Sequence, residues 1–236
     1  MRPERRAEID GATALRERLQ HVYWIGGGSG AGKSTIARRI AARYGLGLYT
    51  TDDLMSEHAG RSSAEDSPLL TEFLAMDMDE RWLKRSPETM LETFHWFRGE
   101  GFGLIVEDLL RLPREPSVIV EGFRLLPHLV KPLVTAPRNA GPRNTGPREA
   151  AHTNAIWLLP TPEFRLAAIQ QRGSLWTIAG KTSDPATALG NLLERDRMFT
   201  DSLYEETKRL DLPVIEVDTS MTEDELAQRV TSAFGL

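Results

Sequence analysis

Residues Gly27–Ser34 read Gly-Gly-Ser-Gly-Ala-Gly-Lys-Ser. Glycine at this density weakens any regular element and permits tight turns. On one side stands His21–Ile25, a short apolar, β-branched and aromatic run that reads as a buried strand. On the other, Lys33–Tyr44 carries Ile36, Ala37, Ile40 and Ala41 at helical spacing, with Gly45 placed to cap it. Strand, glycine turn and helix in that order match the pattern G-x-x-x-x-G-K-[ST], known as Walker A. The glycines let successive backbone N–H groups point inward around phosphate oxygens. The following helix adds its positive N-terminal end. Lys33 supplies a point charge for the β and γ phosphates, and the Ser34 hydroxyl can ligate Mg²⁺. The residues expected to hold a nucleoside triphosphate are Gly27, Gly28, Ser29, Gly30, Ala31, Gly32, Lys33, Ser34 and Thr35.

The rest of the chain repeats the alternation of strand and helix. Further strands are expected at Leu46–Thr50, Ser117–Glu121, Asn154–Leu159 and Pro213–Val217. Helical periodicity marks Pro68–Lys84, Pro87–Phe97, Pro162–Arg172 and Pro185–Arg209. Thr222 and Glu225 form a capping box that opens a last helix to Phe234. The first twenty residues read as a charged helix on the surface. Strands separated by helices imply an α/β, three-layer fold with a parallel sheet covered on both faces. All 236 residues are expected to form one such domain. Residues 56–112 far exceed a plain crossover and read as a helical insertion that binds a second ligand. Residues 136–150 are three near-copies of a five-residue unit (APRNA, GPRNT, GPREA) and read as a flexible loop.

Composition narrows the function. Against 29 Lys and Arg stand 34 Asp and Glu, a formal charge of −5. This balance argues against nucleic acid as a partner. No cysteine is present, which removes disulfides, cysteine-held metals and thiol nucleophiles. No apolar stretch is long enough to cross a bilayer, and no signal peptide is visible. The expectation is a cytoplasmic protein with no membrane partner, monomer and homodimer both remaining open.

The segment GGGSGAGKSTIARRIA resembles the first loop and helix of the P-loop kinases that act on nucleotides and small molecules, a group that includes shikimate kinase, gluconate kinase and chloramphenicol phosphotransferase. That resemblance implies a five-stranded parallel sheet in the order 2-3-1-4-5, with ATP and Mg²⁺ as the reaction's partners. It also implies an acid after the second strand. Asp52 is the first choice and Asp53 the second, either one orienting or deprotonating the acceptor hydroxyl; as a plain sequence feature each could instead cap a helix. Asp53 also stands as an acceptor contact. Glu121 closes Val118–Glu121 like the acid of a Walker B strand and is a candidate for both Mg²⁺ and the acceptor. Arg124 is placed to bind an acceptor. Residues 171–197 resemble the family's lid, with Arg172 the catalytic candidate and Arg195 and Arg197 in reserve.

The expected reaction is transfer of the ATP γ-phosphate to a hydroxyl of a small molecule. From Asp52 to Glu80 there are nine acids and one arginine, which suggests a cationic acceptor such as an amine-bearing sugar or antibiotic; a solvated acidic face is the competing explanation. The alternatives are a nucleotide-dependent switch or ATPase acting on a protein partner, and a toxin-like nucleotide-sugar kinase.

Overall fold

The computed structural model describes residues 3–134, 152–165, 167 and 174–236. Arg172 and the whole of 136–150 lie outside them. Five parallel strands form one sheet: β1 (Val22–Gly27), β2 (Gly47–Thr50), β3 (Val118–Glu121), β4 (Ala155–Pro160) and β5 (Val214–Val217), in the order β2-β3-β1-β4-β5. That order is the one the resemblance implies, and each strand lies within two residues of its expected bounds.

Strand residues alternate between the two faces of the sheet. Trp24, Val118, Val120 and Trp157 enter one buried cluster with Ile105 and Leu109 of helix α7 (Phe102–Arg111). Ile25, Ile119, Ile156 and Leu158 enter the other, beneath α2 (Lys33–Tyr44) and the C-terminal helix (Glu223–Phe234). Both faces are therefore apolar, as a covered parallel sheet requires. The N-terminal helix α1 (Pro3–Arg18) is less detached than expected: Leu15 packs on the first cluster, and the Arg16 guanidinium donates to the Pro132 carbonyl.

The insertion is helical but more broken than its periodicity predicts. Between β2 and β3 run α3 (Met55–Arg61), α4 (Pro68–Ala75), α5 (Met78–Trp82), α6 (Pro87–Thr93), a 3₁₀ turn (His95–Arg98) and α7. The expected helix over Pro68–Lys84 stops at Met76, which is extended, and restarts because Asp77 caps α5. The Asp77 carboxylate accepts from the Glu80 N–H, and the Glu80 carboxylate accepts from the Asp77 N–H. Phe94 is likewise extended and ends α6. The 3₁₀ turn then carries His95, Trp96 and Phe97 inward, all buried. Between β3 and β4 lies α8 (Pro127–Val130); after β4 come α9 (Ser174–Ala179), α10 (Pro185–Arg209) and, past β5, α11, the C-terminal helix.

Candidate active site

The phosphate loop leaves the central strand and enters α2 with Gly30 and Gly32 at φ of 82° and 79°, a region costly for any side chain. No side chain caps α2 and its first turn holds no acid, so its N-terminal N–H groups face the loop without a competing carboxylate. Lys33 is 8% exposed, and its Nζ donates to the Gly28 carbonyl at 2.7 Å. The glycine at position 28 matters for a second reason: a Cβ there would lie 2.6 Å from Thr200 Oγ1, so α10 lies directly against the loop.

Two acids stand at the carboxyl ends of neighbouring strands. The β2–β3 register pairs Thr50 with Glu121, and the Thr51 N–H donates to the Glu121 carbonyl. Glu121 is 1% exposed and neither carboxylate oxygen has a hydrogen-bond partner. Burial pushes its pKa above the usual glutamate range; Lys33 pulls it back and Asp52 adds to the rise. The Ser34 hydroxyl also lowers it from close by, in a geometry short of a hydrogen bond. Asp52 is half-buried and accepts from the Thr51 hydroxyl at 3.2 Å. Burial raises its pKa too, opposed by Lys33, the Thr51 hydroxyl and Arg124. Asp53, its neighbour, is exposed. Gly122 makes this corner possible, since its φ is 150° and a Cβ would fall 1.7 Å from Thr51 Oγ1.

Arg124 sits beneath the acids rather than in open space. It is 2% exposed, with Nη1 donating to the Thr51 carbonyl and to His58 Nδ1 and Nη2 donating to the Gly101 carbonyl. Its guanidinium lies 4.0 Å above the Trp96 ring, and burial lowers its pKa to about 10. Because arginine only donates, His58 Nδ1 must accept, which leaves Nε2 to donate to Asp108 at 2.8 Å. The Tyr49 hydroxyl and Arg61 complete the Asp108 shell. Burial alone would raise the Asp108 pKa; these three donors hold it below the usual range. This network fastens the insertion to the ends of β2 and β3. Arg124→Ala should therefore cost about 3 kcal/mol or more of stability, because it orphans several buried acceptors at once. Denaturant unfolding measures it, and a change under 1 kcal/mol would contradict the network's role.

A cavity of about 500 Å³ opens beside the loop. Ser29 and Asp52 line one end, and the walls are chiefly aromatic, from Phe73, Trp82, Phe94, Trp96 and Phe97. The sequence favours Trp82, Phe94, Trp96 and Phe97 as the core of a helical subdomain, with stacking on a ring of the acceptor as the alternative; Phe73, Trp82, Phe94 and Phe97 pack on one another and also face this space. Arg195 and Asp196 of α10 complete the lining. Arg195 is 6% exposed, and its Nε and Nη2 both donate to Asp196 Oδ1. Arg197, two residues on, is exposed and paired with Glu194 and Asp201. Of the nine acids from Asp52 to Glu80, only Asp52 lines the cavity. Asp77 and Glu80 are used in a cap, and Asp79 holds Ser183. Across the loop, a smaller cavity of about 230 Å³ lies between Gly30, Thr35, Phe164, Val217 and Met221.

The model of the family described as Shikimate kinase matches residues 29–66, which hold the loop from Ser29 onward, α2, β2 and Asp52. That stretch is 38 of the 236 residues, and it agrees with the strand order and the loop geometry. The chain has the fold and phosphate loop of a P-loop kinase. A deoxyadenosine kinase from M. mycoides, solved with bound dATP, is 14% identical over 91% of this chain and 100% of its own, at a TM-score of 0.46. A search of curated proteins found no match. No described helix is long and apolar enough to cross a membrane.

The structure brings Lys33, Ser34, Asp52 and Glu121 together, leaves Asp53 outside the cavity and turns Arg124 towards the insertion. Sequence reasoning found no metal spacing at His58 and His95, gave them no other role, and passed over Asp108. The only sign of His58 and Asp108 was their polarity at positions that periodicity would bury, and only the fold shows that they meet.

Proposed function

We propose that this P-loop kinase transfers the γ-phosphate of ATP to a hydroxyl of a small molecule seated in the aromatic cavity. The observation that carries the reading is that one cavity is lined both by Ser29 of the phosphate loop and by Asp52. An acceptor there has its hydroxyl between the transferring group and a carboxylate. Asp52 orients the hydroxyl and takes its proton as the new P–O bond forms. Its raised pKa suits a base that must hold a proton transiently. Lys33 and the α2 N-terminus meet the phosphates, and Arg195, buried beside the loop, meets charge on the transferring group. The smaller cavity beyond Gly30 is the seat for the nucleotide base.

Mg²⁺ fits this donor set. Glu121 offers two buried, unpartnered carboxylate oxygens beside Ser34. Among the described residues no three acids or histidines cluster around a metal, which suits an ion bound largely through phosphates and water. Ser34 and Glu121 would hold it, and it would neutralise phosphate charge during transfer. Glu121→Gln should raise the Mg²⁺ concentration for half-maximal rate about 10- to 100-fold. It should also raise thermal stability, because a buried unpaired charge is removed. An unchanged Mg²⁺ titration would remove Glu121 from the metal's shell.

The acidic field that would recruit an amine lies outside the cavity, so we place an uncharged acceptor there. ADP release measured with and without a panel of alcohols tests the reading. Acceptor-dependent release is the expected result. Release that responds only to an added protein would make this a switch instead.

A further inference from the structure

The cavity walls describe their ligand more closely than the reaction does. His95 is 2% exposed on the 3₁₀ turn, with its ring 4.9 Å from Phe73, 4.7 Å from Phe94 and 4.4 Å from Trp96. A histidine so deeply placed normally has both ring nitrogens occupied. Here Nδ1 is buried without a partner, and neither ring nitrogen is hydrogen-bonded to a described residue. Burial, reinforced by Arg124 and Arg81, lowers its pKa to about 4, so at neutral pH the ring is uncharged and offers one donor and one acceptor. Arg195 shows the same incompleteness: Nη1 is buried and unpartnered, while Nε and Nη2 are taken by Asp196.

The remaining surface excludes most acceptor types. A polyhydroxylated sugar would press its hydroxyls against ring carbons, each unmet hydroxyl carrying a desolvation cost. A cation would compete with Arg195, whose guanidinium already lies 5.0–5.2 Å from the Trp82, Phe94 and Phe97 ring centroids. An anion would meet Asp52 and Asp196, against the single cation Arg195, which already shares its charge with Asp196. Flat rings with a polar edge meet none of these costs and match aromatic walls.

We propose that the acceptor is an uncharged, flat aromatic ring system bearing a hydroxyl arm, stacked among the cavity's rings and read at its edge by His95, with the arm reaching Asp52. This rests on the phosphotransfer reading above for the role of the arm, and on the cavity alone for the ring.

Three probes separate the features: 2-naphthalenemethanol, its fully saturated decahydro counterpart, and hydroxymethylquinolines with the nitrogen at each ring position in turn. Binding is read by calorimetry and by intrinsic fluorescence, since Trp82 and Trp96 line the site. The naphthalene should bind about tenfold more tightly than the saturated compound. At least one quinoline should gain a further factor of about ten from its edge hydrogen bond. His95→Phe should erase the quinoline's advantage while keeping that of the naphthalene, and His95→Gln should restore part of it. Equal binding of the flat and saturated compounds overturns the proposal, as does tighter binding of an aminomethyl or carboxylate derivative. Discrimination that survives in His95→Phe overturns the role of His95. ADP release run in parallel keeps the two readings apart. Ring binding without acceptor-stimulated release would defeat the phosphotransfer reading and leave the ring site standing. Release stimulated best by saturated or cationic alcohols would do the reverse.

Discussion

Lys33→Ala should lower phosphoryl transfer on the order of a thousandfold, the scale seen when a group stabilising transition-state charge is removed. Nothing else in the loop replaces an ammonium that can bridge two phosphates. The substitution is not structurally silent. Lys33 is buried rather than a free surface side chain, and its Nζ satisfies the Gly28 carbonyl. Losing one such bond costs about 1 kcal/mol. The unliganded variant should therefore melt slightly below the wild type. The decisive contrast comes with nucleotide. Ligand at 100 times its dissociation constant adds about 2.7 kcal/mol to the wild type, and the variant should lose most of that gain. Near-native turnover in Lys33→Ala would disprove the phosphate-loop assignment outright.

Asp52→Asn should lower turnover about a hundredfold or more, the scale of a lost general base, with nucleotide affinity nearly unchanged. Unlike the lysine change, it should make the protein more stable. The folded-state pKa of Asp52 is raised, chiefly by burial. A carboxyl shifted in that direction binds its proton more readily when folded, so stability falls as pH rises from the ordinary aspartate value through the raised one. Above that window the wild type bears the cost of a buried charge, and the amide does not. Glu121 is shifted the same way, so the pH dependence should shrink in Asp52→Asn and shrink further in the double variant with Glu121→Gln. The acid limb of kcat/KM in the wild type should lie above the ordinary aspartate range. If Asp53→Asn is the damaging change and Asp52→Asn is silent, the base has been assigned to the wrong neighbour, although Asp53 is exposed and outside the cavity.

The sheet and the phosphate end of the site were legible because local chemistry determines them. Glycines at positive φ, an apolar run and a 3.6-residue period each act within a few residues, and Pro185 and Thr222 mark helix starts in place. The acceptor end was legible only as an oversized crossover. Its helices break at Met76, beside a short-range cap at Asp77 that the helical period overrode, and at Phe94, and none of the acids in residues 56–112 lines the cavity. The Arg124–His58–Asp108 contacts join residues 66 and 50 positions apart in sequence; periodicity carries no information at such distances. Arg195 and Arg197 look alike in LLERDRMF, yet a two-residue step around a helix buries the first and exposes the second.

The way Arg124 is fastened bears on how such a kinase can acquire new acceptors. The phosphate chemistry belongs to the strand ends, and the cavity's aromatic walls come mostly from residues 70–97, so the two look separable, and a graft of a foreign insertion looks like a route to a different acceptor. The guanidinium forbids a free exchange. It draws His58 and the Gly101 carbonyl from the insertion and Thr51 from the catalytic corner. A chimaera that brings new walls must also bring two acceptors to those points, or abandon the arginine and refill its volume. Diversification should thus proceed by changing residues between Leu70 and Phe97 while the hinge points at His58 and Gly101 stay fixed.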